Sequence, residues 1–204
     1  MTTTTRNLFQ PRFWIVAGPN GCGKSTAYDR SDVDEFGGTV WIINPDLLTS
    51  KIMSVEHLER QQANLASVQR IETWLEASID AHQTIGVETV LSTGKYRRLV
   101  KHAKQRSFEV RLIYVFIADP VVQLERIRLR VAKGGHDVPK TKVLERRSKS
   151  LEQLGWFFEQ ADEAWIFDNG GAEPALIGRK QGDAVSLSSM VPHEMMQNLL
   201  NPKP

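Results

Sequence analysis

Only one of the 204 residues is a cysteine, Cys22. A single thiol excludes an intramolecular disulfide and any cysteine-built metal site, and it suits a reducing compartment. The chain has no uninterrupted apolar run near the ~20 residues that cross a bilayer. The opening Met1-Thr2-Thr3-Thr4-Thr5 is polar, and the apolar stretch behind it is too short for a secretory leader. The reading is therefore cytoplasmic, with no membrane partner. An excess of one charge is lacking as well. Against 26 Lys and Arg stand 24 Asp and Glu, a formal net charge of +2, so bulk charge marks neither a nucleic-acid binder nor a membrane-surface protein. No internal repeat or low-complexity linker divides the sequence, and residues 1–204 read as one domain able to bury a core without staples.

What is present begins with the apolar run Phe13-Trp14-Ile15-Val16-Ala17, which reads as a buried strand, followed at once by Gly18-Pro19-Asn20-Gly21-Cys22-Gly23-Lys24-Ser25-Thr26. This is a complete phosphate-binding loop in the context that gives the motif meaning, a strand before it and a helix after it. Its glycines let successive backbone N–H groups turn toward a phosphate, and the positive end of the helix beginning near Ser25 adds to the same anion. Lys24 is expected to reach the β and γ phosphates, with the Ser25 hydroxyl on Mg²⁺ and Thr26 donating further along the chain. Alkylation of Cys22, inside the loop, is expected to hinder phosphate approach.

Further on, apolar segments alternate with helical patterns. Strands are expected at 39–43, 85–91, 110–117 and 164–167. Helices are expected from Leu47, over 55–82 as one helix or a broken pair, around 99–103, and over 121–133, 141–160 and 193–200. Such alternation indicates an α/β fold, a P-loop NTPase or kinase-like parallel sheet with helices on both faces. The tail departs from this rhythm. Residues 175–177 and 184–187 around Gln181-Gly182-Asp183 read as a small C-terminal β-hairpin, within a terminal segment of about 173–200.

In such sheets the chemistry gathers beyond the carboxyl ends of the strands. Three strand ends bring polar groups there: Asp46, the run Glu88 to Thr93, and Asp168 with Asn169. A carboxylate at Asp46 can accept a proton from an attacking hydroxyl and help order Mg²⁺; the plainer assignment is the N-cap of the helix from Leu47. Glu88 lies in an otherwise apolar strand, which favours an inward, functional carboxylate over a surface ion pair. The segment 126–149 is rich in Lys and Arg around Gly134-Gly135-His136-Asp137, the composition of a helical lid that closes over triphosphate. Arg126 and Arg130 are one helical turn apart on a common face. Arg147 falls on the stripe of Leu144, Leu151 and Leu154, with Arg146 beside it; Arg128, Lys140 and Lys142 read as solvated surface. His136 reads as a structural loop residue. Trp156, Phe157 and Phe158 read as core.

With these blocks in hand, the chain resembles the zeta toxin family of P-loop kinases, in particular its short bacterial members. The resemblance runs through the phosphate loop, Asn44-Pro45-Asp46, Glu88-Thr89-Val90-Leu91-Ser92-Thr93, the segment from Arg126 to Pro139, and Asp168-Asn169-Gly170-Gly171. It implies ATP or GTP as donor with Mg²⁺, and a UDP-activated amino sugar such as UDP-N-acetylglucosamine as acceptor. It also implies a toxin whose antitoxin partner blocks the nucleotide site. Under it Asp46 is the general base and joins Ser25 at the metal, while Lys24 holds phosphate. Glu88, Thr89 and Thr93 meet the acceptor, Arg130 and Arg146 are lid arginines, and Arg126 and Arg147 stand on the nucleotide. Two other readings of the same residues stay open: a nucleoside or polynucleotide 5′-hydroxyl kinase, for which the basic lid meets a polyanion, and a noncatalytic ATP-gated interaction protein.

Overall fold

The structure is a computed structural model that describes residues 10–24, 40–132 and 138–203. The helix expected after Ser25, with Ser25 and Thr26 themselves, and the centre of the basic segment, including His136, lie outside the described residues. The strands are β1 (Arg12–Ala17), β2 (Ile42–Ile43), β3 (Ile85–Thr89), β4 (Glu109–Phe116), β5 (Glu163–Asp168), β6 (Ala175–Gln181) and β7 (Ala184–Leu187). The described helices are α1 (Pro45–Glu56), α2 (Arg60–Asp80), α3 (Arg97–Gln105), α4 (Pro120–Ala132), α5 (Lys140–Gln160) and α6 (His193–Leu200).

One seven-stranded sheet runs in the order β2-β3-β1-β4-β5-β6-β7. β1 lies between β3 and β4, with Ile15 opposite Val87 on one side and Leu112 on the other. The chain leaves β1 toward the β2 edge, returns through β3 and then crosses to β4. This reversal beside β1 opens a crevice at the carboxyl end of the central strand, where ligands of doubly wound sheets bind, and the phosphate loop begins there. The first five strands are parallel, as expected, and they are mainly apolar on both faces because both faces are covered. On one face Phe13, Ile15, Leu112, Tyr114 and Ile166 pack under residues of α2, α3, α5 and α6. On the other, Trp14, Ile113, Val115, Trp165 and Phe167 form a second core with Cys22. Trp14 and Trp165 stack across it at 6.0 Å between ring centroids, a contact worth ~0.5–1.5 kcal/mol beyond its buried area.

Several boundaries differ from expectation for identifiable reasons. The first described helix starts at Pro45, because Asn44 is its cap and proline at the first helical position lacks an N–H that would otherwise go unused. The pattern over 55–82 is a broken pair: α1 ends at His57 in the left-handed conformation (φ 55°), and α2 starts three residues later. The inward stripe of α2 uses the small residues Ala63 and Ser67, while the larger Leu65 is exposed. Small residues let α2 approach α1, and the Ser67 hydroxyl donates to Pro45 O at 3.3 Å. Likewise the buried stripe of α5 begins at Val143, and Leu144 faces outward. The terminal hairpin continues the main sheet: β6 pairs antiparallel along β5 with a register shift at Ile166/Phe167, and β7 pairs with β6. Trp156, Phe157 and Phe158 are buried, as expected.

Candidate active site at the carboxyl edge of the sheet

The loop that follows β1 is held by close backbone approach and by side chains from distant elements. Gly18 has φ +146°, and a Cβ there would stand 1.9 Å from Val115 O, so only glycine lets the chain leave β1 this close to β4. Its N–H donates to Thr89 O at 3.2 Å, tying the start of the loop to the end of β3. Asn20 O accepts from Gln123 Nε2 of α4 at 2.7 Å, and Cys22 O accepts from Asn169 Nδ2 at 2.9 Å. A Cβ on Gly23 (φ +78°) would sit 2.5 Å from that same Asn169 Nδ2 and break the contact. Asn169 is in turn held by its own N–H on Phe116 O at 2.8 Å. Side chains from two distant elements thus satisfy two loop carbonyls.

Beside the loop lies a cleft of about 430 Å³ lined by Gly21, Gly23, Lys24, Glu88, Arg126 and Arg130, with Asn169, Gly171, Ala172 and Pro174 as its far wall. Lys24 Nζ donates to Gly18 O at 3.0 Å and stands 3.7 Å from Glu88 Oε1. Arg126 reaches across to Gly171 O at 3.4 Å. Three cationic side chains against one carboxylate suit a polyphosphate, whose charge the guanidinium and ammonium groups meet directly.

The second oxygen of Glu88 is also engaged: Oε2 accepts from Asn44 Nδ2 at 3.1 Å. Asn44 Oδ1 meanwhile accepts from Asp46 N at 2.9 Å and Leu47 N at 3.2 Å, so Asn44, and not Asp46, is the N-cap of α1. Asp46 occupies the first turn of α1, exposed and outside the set of residues lining the cleft. A carboxylate in that turn is favoured by the helix dipole.

Among the sequence candidates, the structure therefore brings Gly21, Gly23, Lys24, Glu88, Arg126 and Arg130 to one cleft. It does not bring Arg147 there. That side chain does turn inward, but its guanidinium donates to Ile117 O at 2.7 Å, Ala118 O at 3.0 Å and Gln123 Oε1 at 2.8 Å, fastening α5 to the loop after β4. Arg146 is exposed on α5, and Thr93 is exposed in the loop after β3. Thr89 is buried, with Oγ1 accepting from Leu91 N at 3.0 Å, and supports the turn in which Leu91 takes φ 58°. The Cys22 thiol also differs from expectation. It packs in the second core under the loop, and burial raises its pKa well above the ordinary value, with Lys24 opposing more weakly. It offers little to an alkylating agent. Arg128 pairs with Glu125 on the surface, as its solvated reading requires.

Gln123 and Asn44 are working residues that the sequence reading left out of the site, whereas Asn169 stood among its strand-end polar groups without a role. A signal existed for the first two: Asn before Pro is a helix-cap signature, and Gln123 shares a helical stripe with Ile127, so it had to be buried and partnered.

A strand, a glycine-rich loop closing on a lysine, and a basic cleft at the switch point of a parallel sheet define a P-loop nucleotide-binding protein. The chain belongs to the AAA domain family, whose model matches residues 13–154. No curated protein matches it in sequence. Among solved structures, a chain of the PezAT chromosomal toxin-antitoxin system of Streptococcus pneumoniae aligns at TM-score 0.61 and 17% identity, covering 93% of this chain and 78% of that one. The AvrRxo1-ORF1:-ORF2 complex solved with ATP aligns at TM-score 0.69 and 17% identity over 96% of this chain and 65% of that one, so this chain spans less than two thirds of it. The Pnkp1/Rnl/Hen1 RNA repair complex aligns at TM-score 0.55 and 15% identity, over 79% and 49%. These likenesses bear out the fold expected of a zeta-toxin-like P-loop kinase. No described helix is long and apolar enough to cross a membrane.

Proposed function

We propose that this chain is a phosphotransferase of the zeta-toxin kind, moving the terminal phosphoryl group of ATP to a hydroxyl of a UDP-activated amino sugar, in a toxin-antitoxin setting with an antitoxin as protein partner. The observation that carries this reading is the shared cleft of Lys24, Glu88, Arg126 and Arg130 beside the phosphate loop. The solved structures of toxin-antitoxin and ATP complexes support the setting and a nucleotide donor, ATP or GTP. Lys24 holds the β and γ phosphates, and Arg126 and Arg130 meet the charge that develops on the transferred group. Asp46 takes the proton of the attacking hydroxyl, and Glu88 orients the acceptor. Arg146 enters only through movement of its helix. Among the described residues no three carboxylate, histidine or cysteine side chains form a metal cage, which fits a Mg²⁺ carried mainly by phosphates and water with the Ser25 hydroxyl and the Asp46 carboxylate. When bound, that ion neutralises charge on the transferred group.

A second assignment of the base has an observation of its own: Glu88, not Asp46, lines the cleft beside Lys24. The test is incubation of purified protein with γ-labelled ATP, Mg²⁺ and separate UDP-amino sugars, nucleosides and 5′-hydroxyl oligonucleotides. Label should pass to the UDP-amino sugar, and Asp46→Asn should abolish transfer while ATP still binds. Transfer that survives Asp46→Asn and is lost in Glu88→Gln moves the base to Glu88. Label on oligonucleotides, with binding that falls steeply as salt rises, selects the nucleic-acid kinase. ATP binding with no labelled product of any class refutes the kinase.

A further inference from the structure

We propose that Ile127 is a positioning residue: its side chain, seated on Gly21, sets how closely α4 lies on the phosphate loop and so aims Arg126 and Arg130 at the cleft. The inference rests on the reading of that cleft as a nucleoside-triphosphate site and concerns an apolar residue with no part in that reading so far.

At about 100° per residue, Gln123, Arg126, Ile127 and Arg130 fall within one sector of α4 roughly 100° wide. The two cations of this sector line the cleft. Gln123 ties the beginning of the helix to the loop through Asn20 O at 2.7 Å. Ile127 comes next to Arg126 and one turn before Arg130, and it is buried. A Cβ on Gly21 (φ +77°) would stand 2.5 Å from Ile127 Cγ1, 3.0 Å from Ile127 Cδ1 and 3.3 Å from Gln123 O. Glycine at this position lets α4 rest directly on the loop backbone, with Ile127 as the point of contact. Ile127 also packs with Val138, just before α5, and Val143, in its first turn, in a small core apart from the two that cover the sheet. The side chain therefore fills the space between the phosphate loop and the beginning of α5, and shortening it leaves α4 room to shift. A guanidinium meets phosphate through directional hydrogen bonds about 2.7–2.9 Å long, which a displacement of about 1 Å spoils. The Gln123 bond does not prevent that displacement, because a single hydrogen bond in the first turn lets the rest of the helix pivot about it.

Ile127→Ala should bind ATP about tenfold more weakly in calorimetric titration of the full chain. Ile127→Val keeps Cγ1 and loses only Cδ1, so it should lose about threefold. In a chain that also carries Arg126→Ala and Arg130→Ala, neither change at position 127 should alter ATP affinity further, because the groups through which Ile127 acts are gone. The shift in unfolding temperature given by millimolar ATP extends the measurement to that weaker binder. A general loosening of the loop would instead weaken ATP equally with and without the arginines. Thermal unfolding shows which variants are folded, and Ile127→Val carries the same comparison if Ile127→Ala is not. Unsubstituted ATP affinity in the folded variants overturns the proposal, and so does a loss of the same size in the chain without the two arginines. If the unsubstituted protein itself binds no ATP, the nucleotide-site reading and this proposal fall together, whereas ATP binding that is indifferent to Ile127 removes the proposal alone.

Discussion

Gln123→Leu isolates what preorganises the phosphate loop. Gln123 is wholly buried on α4, and its side chain makes two bonds of opposite sense: Nε2 donates to Asn20 O at 2.7 Å, and Oε1 accepts from Arg147 Nη1 at 2.8 Å. Leucine fills similar volume and can do neither. The Asn20 carbonyl is then left short of a partner, which costs ~1–3 kcal/mol. Arg147 keeps the carbonyls of Ile117 and Ala118, so its loss is smaller, about 1 kcal/mol. The sum is roughly 2–4 kcal/mol, and for a chain of this length it lowers the unfolding temperature by about 5–15 °C. Because the lost anchor lies on the loop, ATP affinity should also fall about tenfold, near 1.4 kcal/mol. Gln123→Glu separates the two bonds: a carboxylate still accepts from Arg147 but sets an acceptor against Asn20 O, so ATP affinity should fall while the anchor of α5 survives. Thermal unfolding by circular dichroism and ATP titration measure both quantities. An unfolding temperature within 1–2 °C of the unsubstituted protein and unchanged ATP affinity in Gln123→Leu would refute the argument.

Cys22 should react with a maleimide more than about a hundredfold more slowly in the native protein than in urea, because the thiol is buried and must wait for local opening. Saturating ATP should slow it further by stabilising the closed loop; equal rates in native and denatured protein would show that the thiol is exposed. The acid limb of stability should depend in part on three carboxylates of α1 and α2, besides Glu125 and Glu145 on the later helices. Hydrogen bonds from Arg70, from Arg98, and from His102 together with Arg106 hold Glu56, Glu76 and Asp80 below their ordinary pKa values. A depressed carboxylate stabilises fully above its unfolded pKa, ~4, and its contribution fades as pH falls through the lowered value. Converting all three to amides should therefore flatten the fall in unfolding temperature between about pH 5 and pH 2; a limb of unchanged slope would remove these pairs from the account.

Much of the fold is legible because local spacing reports which side of an element is covered. β4 reads as an apolar run interrupted by Arg111, and it is buried on both faces. Spacing misleads where close packing selects small residues over large ones, as at Ala63 and Ser67 of α2, since helical periodicity is read from large apolar residues alone. It is silent on the hairpin's place. β6 and β7 announce themselves as a pair, but their addition to the β5 edge depends on a partner outside the hairpin.

The site divides in the same way. Lys24, Glu88, Arg126 and Arg130 could be named in advance because chemistry restricts which residue types can face triphosphate, and strand ends and one-turn helical spacing then place them. The polar residues that hold the loop obey no such restriction. Gln123 meets Asn20 across 103 positions and Asn169 meets Cys22 across 147, and nothing in the local spacing of either amide names its partner. The sequence stripe does show that Arg147 turns inward. What it meets there is decided by two carbonyls that the end of β4 leaves uncovered. A guanidinium on the inner face of a basic helix can neutralise phosphate or satisfy backbone with the same donors, so direction is legible from periodicity while function awaits the identity of the acceptor.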